Sequence, residues 1–235
     1  MFSRFFCFLF MLISALFSLY AQGGEPGNHA YVIRGGVYVD FEPIYAGHID
    51  EDYPLDTAMA GRRALEEASL FFSSMIYGWS FFYEPGEKAR RTEENLELEI
   101  IAEIEFGDSN LRVTDTGIRD SCFWVWMDYH LDDAQQRRMQ MWRSGTVRNA
   151  QATGYAPYYI KEYPGWLGLR KIVLEDAAKS AIRTMLRGSE RNRPKEASGF
   201  ISLASFPRYY IDSGRLTVFA RFRVQVTEIV PFAAY

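Results

Sequence analysis

Cysteine is nearly absent: the 235 residues hold two, Cys7 and Cys122. Cys7 falls inside an opening apolar run that is expected to be removed. Cys122 is then alone, so no intrachain disulfide can form. Histidine is as scarce. His29, His48 and His130 stand in unrelated contexts, so the chain lays out neither a histidine-based nucleophile relay nor a histidine-rich metal site. Cys122 itself lies in an apolar stretch, where a thiolate is disfavoured. No glycine-rich phosphate loop is present. Positive charge is in the minority, with 26 Lys and Arg against 30 Asp and Glu. Binding a phosphate backbone needs a basic face, so nucleic acid is not an expected partner. The one basic cluster, Arg187, Arg191, Arg193 and Lys195, is broken by Glu190 and Pro194 and reads as solvated loop.

Aromatic residues, by contrast, are abundant at 16%. They must be housed in a core, on a binding surface or against a membrane. The opening stretch 1–23 reads as a signal peptide: Arg4 is a minimal basic start, Phe5 to Tyr20 is apolar, and Ala21-Gln22-Gly23 supplies small residues for a cut. The apolar run is shorter than the roughly 20 residues that span a bilayer. Cleavage and export are therefore expected, with the periplasm as destination and the outer membrane as alternative. Cys7 sits within the run rather than after it, which does not suit a lipidated cysteine.

Patterning along the rest of the chain predicts helices laid on sheets. Tyr31 to Arg34 and Val37 to Phe41 read as two β-prone runs separated by Gly35-Gly36, a hairpin or bulge signal. The loop 43–54 carries the acidic run His48 to Asp52 and reads as solvated. Asp56 suits the N-cap of a helix to about Tyr77, with Leu65, Ala68, Phe72 and Met75 as its apolar stripe. Arg62 with Glu66 and Arg63 with Glu67 are read as ion pairs on its solvent side. Leu96 to Phe106 alternates apolar residues with glutamates, a strand signature, and Leu216 to Thr227 alternates apolar residues with Thr217, Arg221 and Arg223. If these two strands lie near each other, their opposite charges would help set the pairing. Ser121 to Leu131 is apolar on both faces through Trp126, so it is either a central strand covered twice or one that exposes a tryptophan face to a ligand, with burial the expected outcome. Asp132 is expected to cap a short helix. A second long helix is expected over 169–187, with Leu174, Ala178, Ala181 and Met185 facing a sheet. A hairpin through Asp212-Ser213-Gly214 then follows.

Local echoes suggest a duplication. Ala64-Leu-Glu-Glu-Ala68 resembles Val173-Leu-Glu-Asp-Ala177, Met75 to Gly78 resembles Met185 to Gly188, and Asp115-Thr-Gly117 resembles Asp212-Ser-Gly214. The expected fold is α+β: two related modules, 24–143 and 155–235, joined by a linker at 144–154, each with a long amphipathic helix packed on an antiparallel sheet. In the second module, Tyr155, Tyr158, Tyr159, Tyr163 and Trp166 crowd a strand-and-turn segment with Pro157, Pro164 and Gly165. So many rings in so short a piece cannot all point inward, which makes these five residues the candidate binding surface.

The paired Asp115-Thr-Gly and Asp212-Ser-Gly triplets are similar to those of aspartic proteases, which would make Asp115 and Asp212 a proton-sharing dyad. Against this, Ile118 and Arg215 follow the triplets, and both triplets suit tight turns between strands. Asp128, His130 and Asp132 recur at a spacing of two and are weighed as metal ligands, against a plain strand end entering a helix. No metal, cofactor or catalytic set is assigned. Alternating strands and the terminal Phe232 and Tyr235 suit an outer-membrane barrel, the alternative architecture; two long amphipathic helices speak against it. The helix patterns and the order of elements resemble the helix-on-sheet modules of flagellar outer-ring assembly proteins and related envelope lipoproteins. That resemblance implies assembly or scaffolding in the envelope and no catalysis, while the aromatic segment from Tyr155 to Trp166 is expected to meet an envelope protein or a glycan. Membrane contact is expected only through an uncleaved signal or a barrel.

Overall fold

A computed structural model describes residues 31–42, 53–86, 93–157, 165–189 and 194–231. The signal stretch, the acidic loop, Tyr158, Tyr159, Tyr163 and the chain end at 232–235 lie outside the described residues. The elements below belong to one compact unit, Val32–Tyr235. Among the described residues the fold is α+β, with three helices and two antiparallel sheets.

In chain order, β1 (Val32–Asp40) leads to helix α1 (Thr57–Ile76), then β2 (Trp79–Glu84) and β3 (Asn95–Ile100). The strands β4 (Leu111–Arg119) and β5 (Cys122–His130) follow, then the short helix α2 (Asp133–Met141). Next come β6 (Arg148–Pro157), α3 (Gly165–Ser189), β7 (Glu196–Leu203), β8 (Arg208–Asp212) and β9 (Arg215–Val230). The first sheet has the order β1-β5-β4; the second has the order β3-β2-β7-β9-β6, with β8 also paired to β9. Neither sheet closes into a barrel among the described residues.

Helix α1 starts where the sequence says it should, with the Asp56 carboxylate accepting the Met59 N–H at 2.7 Å. It packs against β1, β5 and β7, while α3 packs against β6 and β9. Small residues bring helix and sheet close: a Cβ on Gly154 of β6 would collide with the α3 backbone at Val173 and Ala177. Ala177, Ala178 and Ala181 are fully buried on that face. Asp132 and Gln135 form a capping box at the start of α2. The Trp142 indole just beyond it donates to Ile76 O at 2.9 Å, fastening α2 to the end of α1.

Two tight hairpins share one geometry. Asp120 and Ser121 between β4 and β5 have φ of 51° and 61°; Ser213 and Gly214 between β8 and β9 have 50° and 74°. Two successive positive values fit a two-residue turn whose twist matches the strands.

Several expectations are corrected. Gly35-Gly36 is no turn, because β1 runs straight through it. The glycines instead leave room for rings: a Cβ on Gly35 would lie 2.3 Å from the Phe206 ring, and Gly36 lies under the Trp126 indole. Asp115 is likewise within β4, at a bulge between Val113 and Asp115, whereas Asp212 does end β8 at a turn. The Leu96–Phe106 alternation is strand only to Ile100. Its partner β2 begins at Trp79, so beyond Ile100 the chain has nothing left to pair with. It turns along α1 instead, with the Ile101 N–H donating to Gly78 O and the Ile104 N–H donating to Ser73 Oγ at 2.7 Å. Strands β3 and β9 are separated by β2 and β7, so their acidic and basic faces do not set a pairing. Much of the expected linker, from Arg148 onward, belongs to β6, which pairs with β9 over its length. Trp166 belongs to the first turn of α3 rather than to a strand.

Candidate functional site

The Arg63 and Glu67 pairing expected on the surface of α1 is overturned. Arg62 and Glu66 do pair in the open at 3.0 Å. Arg63 and Glu67, however, are buried, at 3% and 2% exposure. The reason lies in the spacing. Positions 63 and 67 fall on the same side of the helix as Ala60, Ala64, Ala68 and Phe71, so they turn inward with that stripe.

Inside, Glu67 meets a partner from the other long helix. Arg170 Nη1 donates to Glu67 Oε1 at 2.7 Å, while Glu67 Oε2 is buried with no hydrogen-bond partner among the described residues. Burial pushes the Glu67 carboxyl up to about 7; Arg170 pulls it back, and the charge of Asp40 adds to the rise. Arg170 also lies over the Tyr209 ring at 4.6 Å and the Trp166 ring at 5.5 Å. Arg63 lies 5.4 Å from the same Trp166 ring. Trp166 is thus held by two guanidinium groups, which favour an aromatic face. The Tyr209 hydroxyl donates to Arg170 O at 3.1 Å, and burial together with the charge of Glu67 pushes its pKa upward.

This buried pair lines an open cleft of about 800 Å³ between the two sheets. One wall is the outer face of the first sheet, with Arg34, Tyr38, Asp40 and Trp126. The other comes from the β7–β8 connection, β8 and β9, with Phe206, Arg208, Tyr210, Phe219 and Arg221. The volume is of the size that takes small ligands or short polymer segments, roughly 300–1,000 Å³.

Trp124 and Trp126 do not meet the burial expected for them. Strand β5 is central in its sheet, but only its Phe123, Val125, Met127 and Tyr129 side faces the core, while Trp126 is 47% exposed and Tyr38 beside it is 63% exposed. Glycines let these indoles lie flat on neighbouring strands. A Cβ on Gly117 would overlap the Trp124 ring at 2.6 Å. An open aromatic face thus runs into the cleft.

Of the five aromatic residues singled out in the sequence, Tyr155 and Trp166 are described. Tyr155 is 53% exposed, with Arg215 lying 4.5 Å over its ring, on the far side of the second sheet from α3. It stands in a cross-strand row with Thr217 and Tyr210. Trp166 is half-buried against Arg63 and Arg170. The structure therefore brings together Glu67, Arg170, Tyr38, Trp126, Arg208 and Arg221, which sequence reading did not assemble. Glu67 could have been flagged by its place within the alanine stripe. Arg170 could not, because only the packing of α1 near α3 gives it a partner.

The other sequence candidates are occupied elsewhere. Asp115 and Asp212 are both exposed and lie in different sheets; Asp115 accepts the Thr116 N–H and Asp212 the Ser213 hydroxyl. Asp128 pairs with Arg34 at 3.2 Å and Asp132 caps α2. The Cys122 thiol donates to Asp40 Oδ1 at 2.9 Å; burial and then Asp40 push its pKa up to about 11. Among the described residues no group of three His, Cys, Asp or Glu is placed to hold a metal ion.

Fold and site together define an α+β protein of two helix-covered antiparallel sheets with an aromatic and arginine-lined cleft between them. Residues 22–232 match the model of an uncharacterised protein family, and the chain belongs to that family. It is similar to an uncharacterised protein of Treponema pallidum (strain Nichols), with 23% identity over 174 residues, covering 74% of this chain and 71% of the relative. No solved structure matches the chain with significance.

Proposed function

We propose that the protein is an exported binding or assembly module of the cell envelope and that it works through the cleft between its two sheets. One observation carries the reading: the exposed face of Tyr38 and Trp126 leads into a concave site lined by arginines. Large rings left in water are expensive unless a partner covers them, and tyrosine, tryptophan and arginine are the residues that dominate binding surfaces. Export rests on the opening stretch 1–23. The Tyr155 face of the second sheet, with Tyr158, Tyr159, Tyr163 and Trp166 nearby in sequence, is an extension of the same surface.

The proposal includes descent from a duplicated module. It is supported by a recurring order: β1-α1-β2 followed by the β4–β5 hairpin, and β6-α3-β7 followed by the β8–β9 hairpin, with β1 beside β5 as β6 is beside β9. In this alignment the β4–β5 turn at Asp120-Ser121 answers the β8–β9 turn at Ser213-Gly214, rather than Asp115-Thr-Gly117 answering it. The order also fits the resemblance to flagellar outer-ring assembly modules.

Export is tested by mass spectrometry of the native N-terminus: a start near residue 24 supports it, and intact Met1 to Phe10 peptides from membrane fractions oppose it. The site is tested with photo-crosslinking residues in living cells. An envelope adduct from position 38 or 126 that disappears in Arg208→Ala/Arg221→Ala supports the cleft. Equal adducts from position 133 on α2 would remove it.

A further inference from the structure

We propose that the cleft takes an extended, acidic peptide segment as an added β-strand. This rests on the reading of the cleft as a binding site and names the chemistry of its occupant. Among the described residues, β1 is an outer strand of the first sheet with β5 as its one neighbour, and β8 has β9 as its one neighbour, so two strands with an unpaired edge contribute to one cleft. A strand with a single neighbour leaves alternate N–H and C=O groups unpaired, and a segment laid alongside at about 4.8 Å can satisfy them. Beyond its ladder with β5, no backbone hydrogen bond engages residues of β1 among the described residues. The corresponding edge strand of the second sheet differs. There the Tyr155 N–H of β6 is taken by Asp176 of α3 at 3.1 Å, a side-chain plug on an exposed edge. Among the described residues no such plug stands on β1. Gly35 and Gly36 also leave that part of the edge without side chains of its own.

Charge selects the peptide. Glu67 is neutralised by Arg170, and Arg34 is paired with Asp128. Asp40 is hydrogen-bonded to the Cys122 thiol. Arg208 and Arg221 are exposed, and their guanidinium groups have no ion-pair or hydrogen-bond partner among the described residues. They share a face: Arg208 sits opposite Phe219, and Arg221 is two residues further along the same strand. Side chains of an added strand alternate between faces, so a segment with an acidic residue at every second position would set its carboxylates against these two guanidinium groups. A carbohydrate could meet the arginines and the rings but could not complete the backbone ladder.

The test uses the full chain and four labelled probes in fluorescence anisotropy: a decapeptide of alternating threonine and glutamate, the same peptide N-methylated at every second amide, its lysine counterpart, and hexagalacturonate. The first should bind. N-methylation should weaken it at least about tenfold, because it removes the donors a strand needs. Arg208→Ala/Arg221→Ala should weaken it similarly while leaving the thermal midpoint unchanged, and the lysine peptide should not compete. Equal binding of the N-methylated peptide, or of the lysine counterpart, would overturn strand addition. Binding of hexagalacturonate without the decapeptide would also overturn it, while leaving the cleft as a binding site. If no probe binds, both this inference and the proposed site fail.

Discussion

The two long helices carry matching acidic residues and use them in opposite ways. Asp176 of α3 stays half-buried at the edge of its sheet and accepts the Tyr155 N–H. Glu67 of α1, which holds the equivalent place in the Ala64 to Ala68 echo, is buried and reaches Arg170 on α3 itself. One acid closes a strand edge; the other leaves its edge open and instead builds the base of a cleft. Similar local sequence can thus give a structural plug in one half and a candidate site in the other. The difference comes from where each helix meets the rest of the molecule: α1 contacts both sheets and lies beside α3, whereas α3 packs on the second sheet.

Arg170→Ala should produce the largest effect on this contrast. It leaves the Glu67 carboxylate buried without its partner and frees Trp166 and Tyr209 from the guanidinium they pack on. Loss of one partner of a buried pair typically costs about 3–5 kcal/mol. Because Glu67 can take up a proton, we expect the lower end at pH 7 and less at pH 5, read from urea unfolding.

Glu67 should leave a signature in pH. Its folded pKa is raised to about 7 from 4.5, so between these values the folded chain holds a proton that the unfolded chain has released. Its contribution is full below 4.5 and is lost as pH rises through about 7, amounting to about 3 kcal/mol on the linkage relation. Glu67→Gln should remove this dependence. An unchanged pH profile in the variant would contradict the assignment.

Gly35→Ala should destabilise by about 1–3 kcal/mol, since the Phe206 ring occupies the place of the new methyl group and must move. Gly36→Ala, whose Cβ would sit 3.4 Å from the Trp126 ring, should do much less. Asp176→Ala is the smallest change expected, about 1 kcal/mol or below, because it gives up one partly exposed hydrogen bond. Its informative effect is on the edge: with the Tyr155 N–H freed, β6 should gain self-association over the parent chain, measurable by sedimentation. If Asp176→Ala destabilised as much as Arg170→Ala, the contrast between plug and cleft would collapse.

Much of the frame was legible in the sequence because it depends on local rules. Asp56 and Asp132 cap their helices through their own side chains, and the apolar stripe of α3 follows the helical period. The paired hairpins follow from positive-φ turns, although the first turn lies at Asp120-Ser121 rather than at the more glycine-rich Asp115-Thr-Gly117. What stayed hidden depends on distant partners. Gly35-Gly36 looks like a turn until Phe206 and Trp126 are seen to need the space. Arg63 and Glu67 look like a solvent pair at four-residue spacing until α3 and Trp166 arrive to cover them. The tryptophans of β5 read as buried because alternation in one strand reports two apolar faces but not whether anything covers the second.

The most direct test of the account is amide hydrogen exchange of the full chain with and without the alternating threonine-glutamate decapeptide at saturation. The account predicts new protection confined to β1 and β8, with β6 unchanged because Asp176 already occupies its edge. Protection of β6 or β4 without β1, or binding with no change in β1, would contradict it.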